Sequence, residues 1–341
     1  MVVGMNSQNP SRTEYVIRQS LQKDFSSLRL RFLNLEEYLR CEGQLVTNEY
    51  VYNEKKKFKP DVVLYSGVEG LEPNTFFNYK GCKQIIWFYD APFHVNVCKL
   101  GNLSDYLFIT AHGLVNDYKY WGVNCHWLLE GVYNPPHIFM SEKDENLISD
   151  ITFVGTPDIY RNKLLTEVNR RFPNSLTIWG ANNGPPYFGL DNYGWDKSLT
   201  HTGRMINGEG YPLLCSSAKI VLGTNVYNDI YQYFSNRNLY TMACGGFLLT
   251  EYVPGMEELF KNHQHLVWYK DEQECVEMID FYLGNSNKRV EIASEGCKFV
   301  FQEFSMTKQL VKMFNICGVT GLREGRGMEN LLRLSERIRY V

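Results

Sequence analysis

At 341 residues, 44% hydrophobic and 21% charged, the chain has a globular balance and enough length for two domains of roughly 150 residues each. A formal net charge of -3 excludes a global basic field for nucleic acid, and no apolar run approaches the ~20 residues that a membrane-spanning helix needs. Nine scattered cysteines with no CxxC pair and no zinc-spaced Cys/His group, after a start that turns polar too early for a signal peptide, point to reduced thiols in a cytoplasmic protein.

In chain order, Met1–Met5 reads as a first strand, residues 13–23 as a helix and Leu28–Leu33 as a second strand. Residues 47–58 read as an exposed helix, with Lys55, Lys56, Lys57 and Lys59 on a solvated face or along an anionic acceptor. Strands follow at Asp61–Tyr65, Lys83–Tyr89 and Tyr106–Thr110, the last leading into a helix near 113–121. The segment LEGVYNPP at 129–136, with a glycine and two prolines, reads as a linker. Beyond it the alternation restarts: strand Ile151–Val154, helix 158–171, strand Leu176–Trp179, a long loop at 180–210, helix 211–217 and strand Lys219–Gly223. Helix 236–244, strand Phe247–Leu249, helix 255–261, strand His265–Trp268, helix 272–284 and a largely helical end over 288–341 complete the pass. Strands alternating with helices predict parallel sheets with right-handed crossovers, hence two Rossmann-like halves facing each other across a cleft.

The stretch Ser235–Phe260, SNRNLYTMACGGFLLTEYVPGMEELF, carries the most information. A helix N-terminus beside Arg237 suits a diphosphate, because backbone N–H groups and a guanidinium fork both favour that charge. Gly245 and Gly246 allow close backbone approach, although a glycine pair after a helix is also the ordinary C-cap. This stretch resembles the C-terminal signature of group 1 GT-B glycosyltransferases, in particular the CgeB-like (spore-maturation type) branch, through Ser235, Arg237, Ala243, Gly245, Gly246, Leu249, Thr250, Gly255, Glu257 and Phe260. ITFVGTPDIYRNKLL (151–165), SSAKIVLGTN (216–225) and HLVWYKDEQECVEMIDFYL (265–283) are similar to other pieces of the same donor domain. KPDVVLYSG, IIWFYDAPF and WLLEGVYNP resemble its N-terminal and hinge elements, so the resemblance covers most of residues 59–311.

The resemblance implies an α/β GT-B fold with an acceptor-side domain at 1–135, a nucleotide-sugar donor domain at 136–315 and a C-terminal helix at 316–341 crossing back to the first domain. It implies sugar transfer from a UDP- or GDP-sugar to the hydroxyl of a glycan, a protein or a hydroxymethylpyrimidine base of phage DNA. Retention of configuration is expected, with no tightly bound cofactor. The sequence has no Asp-x-Asp for a bridging divalent ion, so transfer is expected to be metal-independent. Donor contacts fall on Gly155, Thr156, Arg161, Lys163, Asn225, Gln232, Ser235, Tyr240, Gly245 and Gly246. Arg237 is the leading group for the growing charge on the diphosphate, its competing role being a surface ion pair. Arg161 and Lys163 come next, although charged residues early in a helix are mostly solvated.

One departure is plain. Group 1 enzymes carry two glutamates eight positions apart, the second on the donor ribose, and here those positions read Gln232 and Tyr240. A GT-B protein that binds a nucleotide or glycan without catalysis is therefore the alternative. In the first half, Asp90 ends a strand beside His94. The pair suits a general base for an acceptor hydroxyl or a substrate contact, and Asp90 suits equally a turn cap before Pro92. His112, Glu69, Glu130 and the loop 187–195 are weaker candidates for a cleft. Arg323, Arg326, Arg333, Arg337 and Arg339, alternating with Glu324, Glu329 and Glu336, read as a salt-bridged helix.

Overall fold

The computed structural model describes residues 1–76, 82–134, 136–138, 143–182, 194–206 and 208–320. These form two compact α/β units. The first takes the described part of residues 1–135, returns for Asp229–Phe234, and gains the described chain from Phe304 onward. The second takes the described parts of 136–228 and 235–303.

The first unit is built on strands β1 (Val2–Gly4), β2 (Phe32–Asn34), β3 (Val62–Ser66), β4 (Lys83–Phe88), β5 (Tyr106–Ile109) and β6 (Cys125–Trp127). They pair in the order β2-β1-β3-β4-β5-β6, parallel throughout. Runs such as Ile85, Ile86 and Trp87 are apolar on both faces, as a sheet covered on both sides requires. One face receives α1 (Thr13–Asp24) and the late helix α10 (Met306–Ile316), whose Ile17, Leu21, Leu310 and Phe314 pack with Trp87 and Phe108. The other is covered by α2 (Glu36–Phe58), α3 (Val95–Gly101) and α4 (Val115–Tyr120), with Val51, Val97 and Tyr118 in the core. Asp24 of α1 accepts hydrogen bonds from Thr307 of α10 and from Tyr133, so a buried carboxylate ties the returning helix and the end of the 129–136 segment to α1.

The second unit carries β7 (Ser149–Val154), β8 (Leu176–Trp179), β9 (Ala218–Gly223), β10 (Leu248–Glu251) and β11 (Val267–Tyr269). They pair in the order β11-β10-β9-β7-β8, again all parallel. Helices α5 (Ile159–Arg171), α6 (Gly210–Ser217), α7 (Asn236–Ala243), α8 (Glu272–Gly284) and α9 (Ser286–Glu303) supply the connections and cover. In each sheet the chain winds first one way and then the other. The reversal falls between β1 and β3 in the first unit and between β7 and β9 in the second. Crevices outside the carboxyl ends of strands at such reversals are where doubly wound sheets take ligands.

Several expectations are corrected. The helix placed at 47–58 begins at Glu36 and bends at Gly43, whose φ of 78° breaks the helical path. The second strand lies at Phe32–Asn34 rather than 28–33, and the helix placed at 255–261 is a single tight turn, Met256–Glu258, after left-handed Gly255. Helix α3 and strand β6 are additional short elements. Residues 321–341, with the arginine-glutamate alternation, lie outside the described residues.

The largest correction concerns Lys55. It is fully buried, not solvated, because its ammonium donates to Tyr65 Oη, the Thr75 carbonyl and Gln84 Oε1 at 3.1, 2.6 and 2.8 Å, while Lys56 and Lys57 stay exposed. Burial lowers its pKa to about 8. Between that value and the ordinary one the unfolded chain binds more protons than the folded one, so stability rises with pH across the interval. Comparing wild type with Lys55→Met by urea denaturation from pH 7 to 9.5 is expected to show a gain of about 2 kcal/mol in the wild type that the variant lacks.

Candidate functional site

The reversal between β7 and β9 gathers the site in the second unit. Strand β7 is followed by Gly155-Thr156, β9 runs out through Gly223, Thr224 and Asn225, and the N-terminus of α7 lies beside them. A small pocket there is lined by Phe153, Gly223, Thr224, Ser235, Arg237 and Thr241, among others. The glycines are there for space. A Cβ on Gly180, at the end of β8, would sit 1.8 Å from the Gly155 carbonyl oxygen, and one on Gly223 would lie 2.8 Å from both Asn238 Oδ1 and Thr250 Oγ1.

Helix α7 starts with Ser235 at its N-cap in extended conformation, but the serine side chain makes no capping bond. Instead the Ser235 N–H donates to Asn225 Oδ1 at 2.9 Å, and the Asn225 N–H donates to Asn228 Oδ1 at 3.1 Å, so the two asparagines fix the approach to the helix. First-turn N–H groups without a side-chain cap make an end that favours an anion. Arg237 stands in this first turn, exposed, and enters no ion pair among the described residues. The surface-ion-pair role raised against it is therefore absent there.

The other cations behave differently. Arg161 is buried, not solvated: its Nη1 donates to the Thr156 carbonyl at 3.0 Å and to Thr156 Oγ1 at 3.3 Å, its Nη2 to the Thr224 carbonyl at 3.4 Å, and its Nε lies 3.2 Å from Asp158. It thus ties the loop after β7 to the loop after β9. Lys163 is exposed and pairs with Glu272 at 2.5 Å. Asp158 caps α5 through the Arg161 N–H.

Gly245 and Gly246 close α7 as a Schellman turn. Gly245 is left-handed (φ 76°), its N–H donates to the Met242 carbonyl, and the Gly246 N–H donates to the Thr241 carbonyl. That bonding accounts for the pair at the far end of α7 from Arg237. Tyr240 stacks on His137 with ring centroids 3.9 Å apart, and full burial lowers the His137 pKa to about 3, leaving a neutral ring. Gln232 belongs to the first unit, not the second. It is buried with a left-handed φ of 49°, and its Oε1 lies 2.7 Å from His112 Nδ1. The neighbouring Tyr233 bridges to Ala111 in antiparallel fashion, which draws this segment into that unit.

In the first unit Asp90 and His94 share the exposed loop after β4, which contains a cis Ala91–Pro92 bond. The His94 N–H donates to Tyr118 Oη. Partial desolvation and the nearby Glu69 raise the Asp90 pKa, against a smaller pull from His94. Glu14 is raised as well, first by burial, with Glu69 adding to it. Glu14, Glu69 and Asp90 thus lie after β1, β3 and β4, with Arg12 and His94 acting on them in the opposite sense. Glu130 is fully buried and accepts from Thr13 Oγ1, so it is a core group. Of the loop 187–195, residues 187–193 lie outside the described residues, and Trp195 is a core side chain donating to the Ala181 carbonyl. Two contributors not anticipated are Tyr160 and Glu251, joined by a 2.7 Å hydrogen bond beside Thr224. A buried acid at the end of β10, in the sequence TEY, was the only signal for them.

No helix among the described residues is long and apolar enough to cross a membrane, and they hold no cluster of three or more metal-ligating side chains. Residues 161–315 match the family model described as glycosyl transferase-like. No curated protein matches the sequence. Among solved structures, HepE from Anabaena in complex with UDP-glucose superposes with a TM-score of 0.65 at 13% identity, covering 94% of this chain and 99% of that one. A sucrose-phosphate synthase from Thermosynechococcus elongatus gives 0.62 at 10% identity over 93% and 98%. A glycosyltransferase from Rickettsia africae gives 0.61 at 10% over 97% and 98%. The chain therefore has two parallel-sheet α/β domains in the manner of GT-B glycosyltransferases.

Because Gly180 is held at φ 143° against the Gly155 carbonyl, Gly180→Ala must displace the turn after β7. The expected loss is upwards of about 2 kcal/mol in chemical denaturation.

Proposed function

We propose that this chain is a glycosyltransferase that binds a nucleotide sugar on its second unit and passes the sugar to an acceptor hydroxyl, with retention and without a metal ion. The carrying observation is the exposed guanidinium of Arg237, in no ion pair among the described residues, in the first turn of α7, which lacks a side-chain cap, at the carboxyl ends of β7 and β9. Breaking the sugar–phosphate bond leaves negative charge on a nucleoside diphosphate, and fixed positive groups at that point lower the barrier most. Arg237 and the α7 N–H groups supply them. Arg161 acts by holding Thr156 and Thr224 in place, with Gly155, Asn225 and Ser235 shaping the wall. Lys163, paired with Glu272, is assigned no direct part in holding the diphosphate. Uridine is the favoured base, since HepE is seen with UDP-glucose. Tyr240, packed on His137, takes the ribose-side position where a carboxylate stands in the enzymes this sequence resembles, and Gln232 answers to His112 instead.

On the first unit we assign Asp90 and His94, which share the loop after β4, to the acceptor. Glu14, Glu69 and Asp90 make that edge acidic, which disfavours a phosphodiester backbone. A neutral hydroxyl on a glycan or protein is therefore preferred to a modified DNA base, within the CgeB-like branch. The nine free thiols fit a cytoplasmic protein. The second reading, a nucleotide-binding protein without turnover, is favoured by the same Gln232 and Tyr240.

Incubation with UDP-glucose, UDP-GlcNAc and GDP-mannose, scored for released nucleoside diphosphate, separates the two. Slow hydrolysis of one donor, unchanged by EDTA and reduced about 10²-fold or more in Arg237→Ala, is expected. Tight nucleotide binding with no release from any donor selects the second reading.

A further inference from the structure

Behind the pocket wall sits a carboxylate that the transfer reaction does not use. Glu251, the last residue of β10, is only 8% exposed. Tyr160 Oη, in the first turn of α5, donates to its Oε1 at 2.7 Å, and Thr224 Oγ1 donates to its Oε2 at 2.7 Å. Thr224 lines the pocket with Arg237, and its carbonyl accepts from Arg161. One carboxylate therefore ties Thr224, which lines the anion pocket, to the first turn of α5, and stands one side chain behind the pocket wall.

We infer that Glu251 is a positioning residue for the diphosphate: it fixes Thr224 and the first turn of α5, and its own negative charge works against the bound anion. This rests on the donor-binding reading given above. The opposition has a consequence. An incoming diphosphate makes the charged form of Glu251 less favourable, so donor binding takes up a proton from solvent at this carboxyl. Burial already raises the Glu251 pKa, ahead of the two hydrogen bonds that lower it, with Asp158 and Glu272 adding to the rise. The groups facing it are Asp158 and Tyr160 from the α5 end, Tyr269 from β11, and Glu272 and Cys275 from α8, with Glu272 paired to Lys163 and Arg161 linked to it only through Thr224.

A glutamine fits the same place. Its carbonyl can accept from Tyr160, and its amide can donate to Thr224 Oγ1, whose own proton has the Asn225 carbonyl as an alternative acceptor at 3.3 Å. Glu251→Gln therefore keeps the position and removes the charge, whereas Glu251→Ala removes both.

The experiment is calorimetric titration of UDP-glucose, whose diphosphate diester has no ionisation between pH 5 and 8, into wild type, Glu251→Gln and Glu251→Ala across that range. Two buffers of different ionisation enthalpy report the protons taken up. The wild type is expected to bind about 3- to 10-fold more tightly at pH 5.5 than at pH 8, with proton uptake. Glu251→Gln is expected to bind at least as well as wild type at pH 8 with a flattened profile and less uptake. Glu251→Ala is expected to bind at least about 10-fold more weakly at every pH. A Glu251→Gln profile parallel to that of wild type, or Glu251→Ala binding as tightly as wild type, overturns the inference and leaves the donor reading standing. Failure of the wild type to bind UDP-glucose, GDP-mannose or ADP-glucose at any pH removes the donor site and this inference with it.

Discussion

The buried guanidinium of Arg161 is the interaction on which the rest of the second unit's candidate site depends. Parallel strands deliver loops to the same sheet edge but do not fix their spacing. Here the spacing is set by one planar cation that donates to the Thr156 carbonyl after β7 and the Thr224 carbonyl after β9. A lysine, with its single point of charge, could not span both. The Asp158 carboxylate beside it accounts for a cation being tolerable in a buried position. With these loops pinned, the close approach of Gly180 to Gly155 and of Gly223 to Asn238 and Thr250 becomes a requirement, since any side chain there would push the walls apart.

The division of labour between the arginines follows from their partners. Arg161 is consumed by the protein's own carbonyls, so it builds the site. Arg237 is exposed, in a helix turn whose cap residue spends its N–H on Asn225 and offers no side-chain bond, so its charge is available to a ligand. Both arginines lie in one sheet-edge neighbourhood, and only their hydrogen-bond partners separate scaffold from binding group. In the first unit the corresponding strand ends carry Glu14, Glu69 and Asp90, with Arg12 and His94 as the nearby counter-charges.

The alternation of apolar runs and helical stretches was enough to read both parallel sheets, and Leu176–Trp179 was placed to the residue. Short elements were not legible. Val95–Gly101 and Cys125–Trp127 are too brief to show a period, and they are shaped by the strands and helices already packed around them. Lys55 was misread because a charge run carries no record of which member turns inward. Only tertiary packing brings Tyr65, Thr75 and Gln84 to it. Gln232 was read with its sequence neighbours, but a segment's allegiance depends on long-range pairing, here Tyr233 with Ala111 and Gln232 with His112. Gly245 and Gly246 had a local reading as a helix C-cap, and their hydrogen bonds follow it. Arg237 was legible as a candidate from its place at a helix start. That Arg161 is buried was not, because burial depends on Thr224, which lies 63 residues away.

The central claim is that a nucleoside diphosphate seats on the N-terminus of α7 beside Arg237. A crystal structure of the protein soaked with UDP tests it most directly. The account predicts the terminal phosphate within hydrogen-bonding distance of the Arg237 guanidinium and of the first-turn N–H groups of α7, with Arg161 still bound to Thr156 and Thr224. A phosphate seated elsewhere, with Arg237 pointing into solvent, would contradict it.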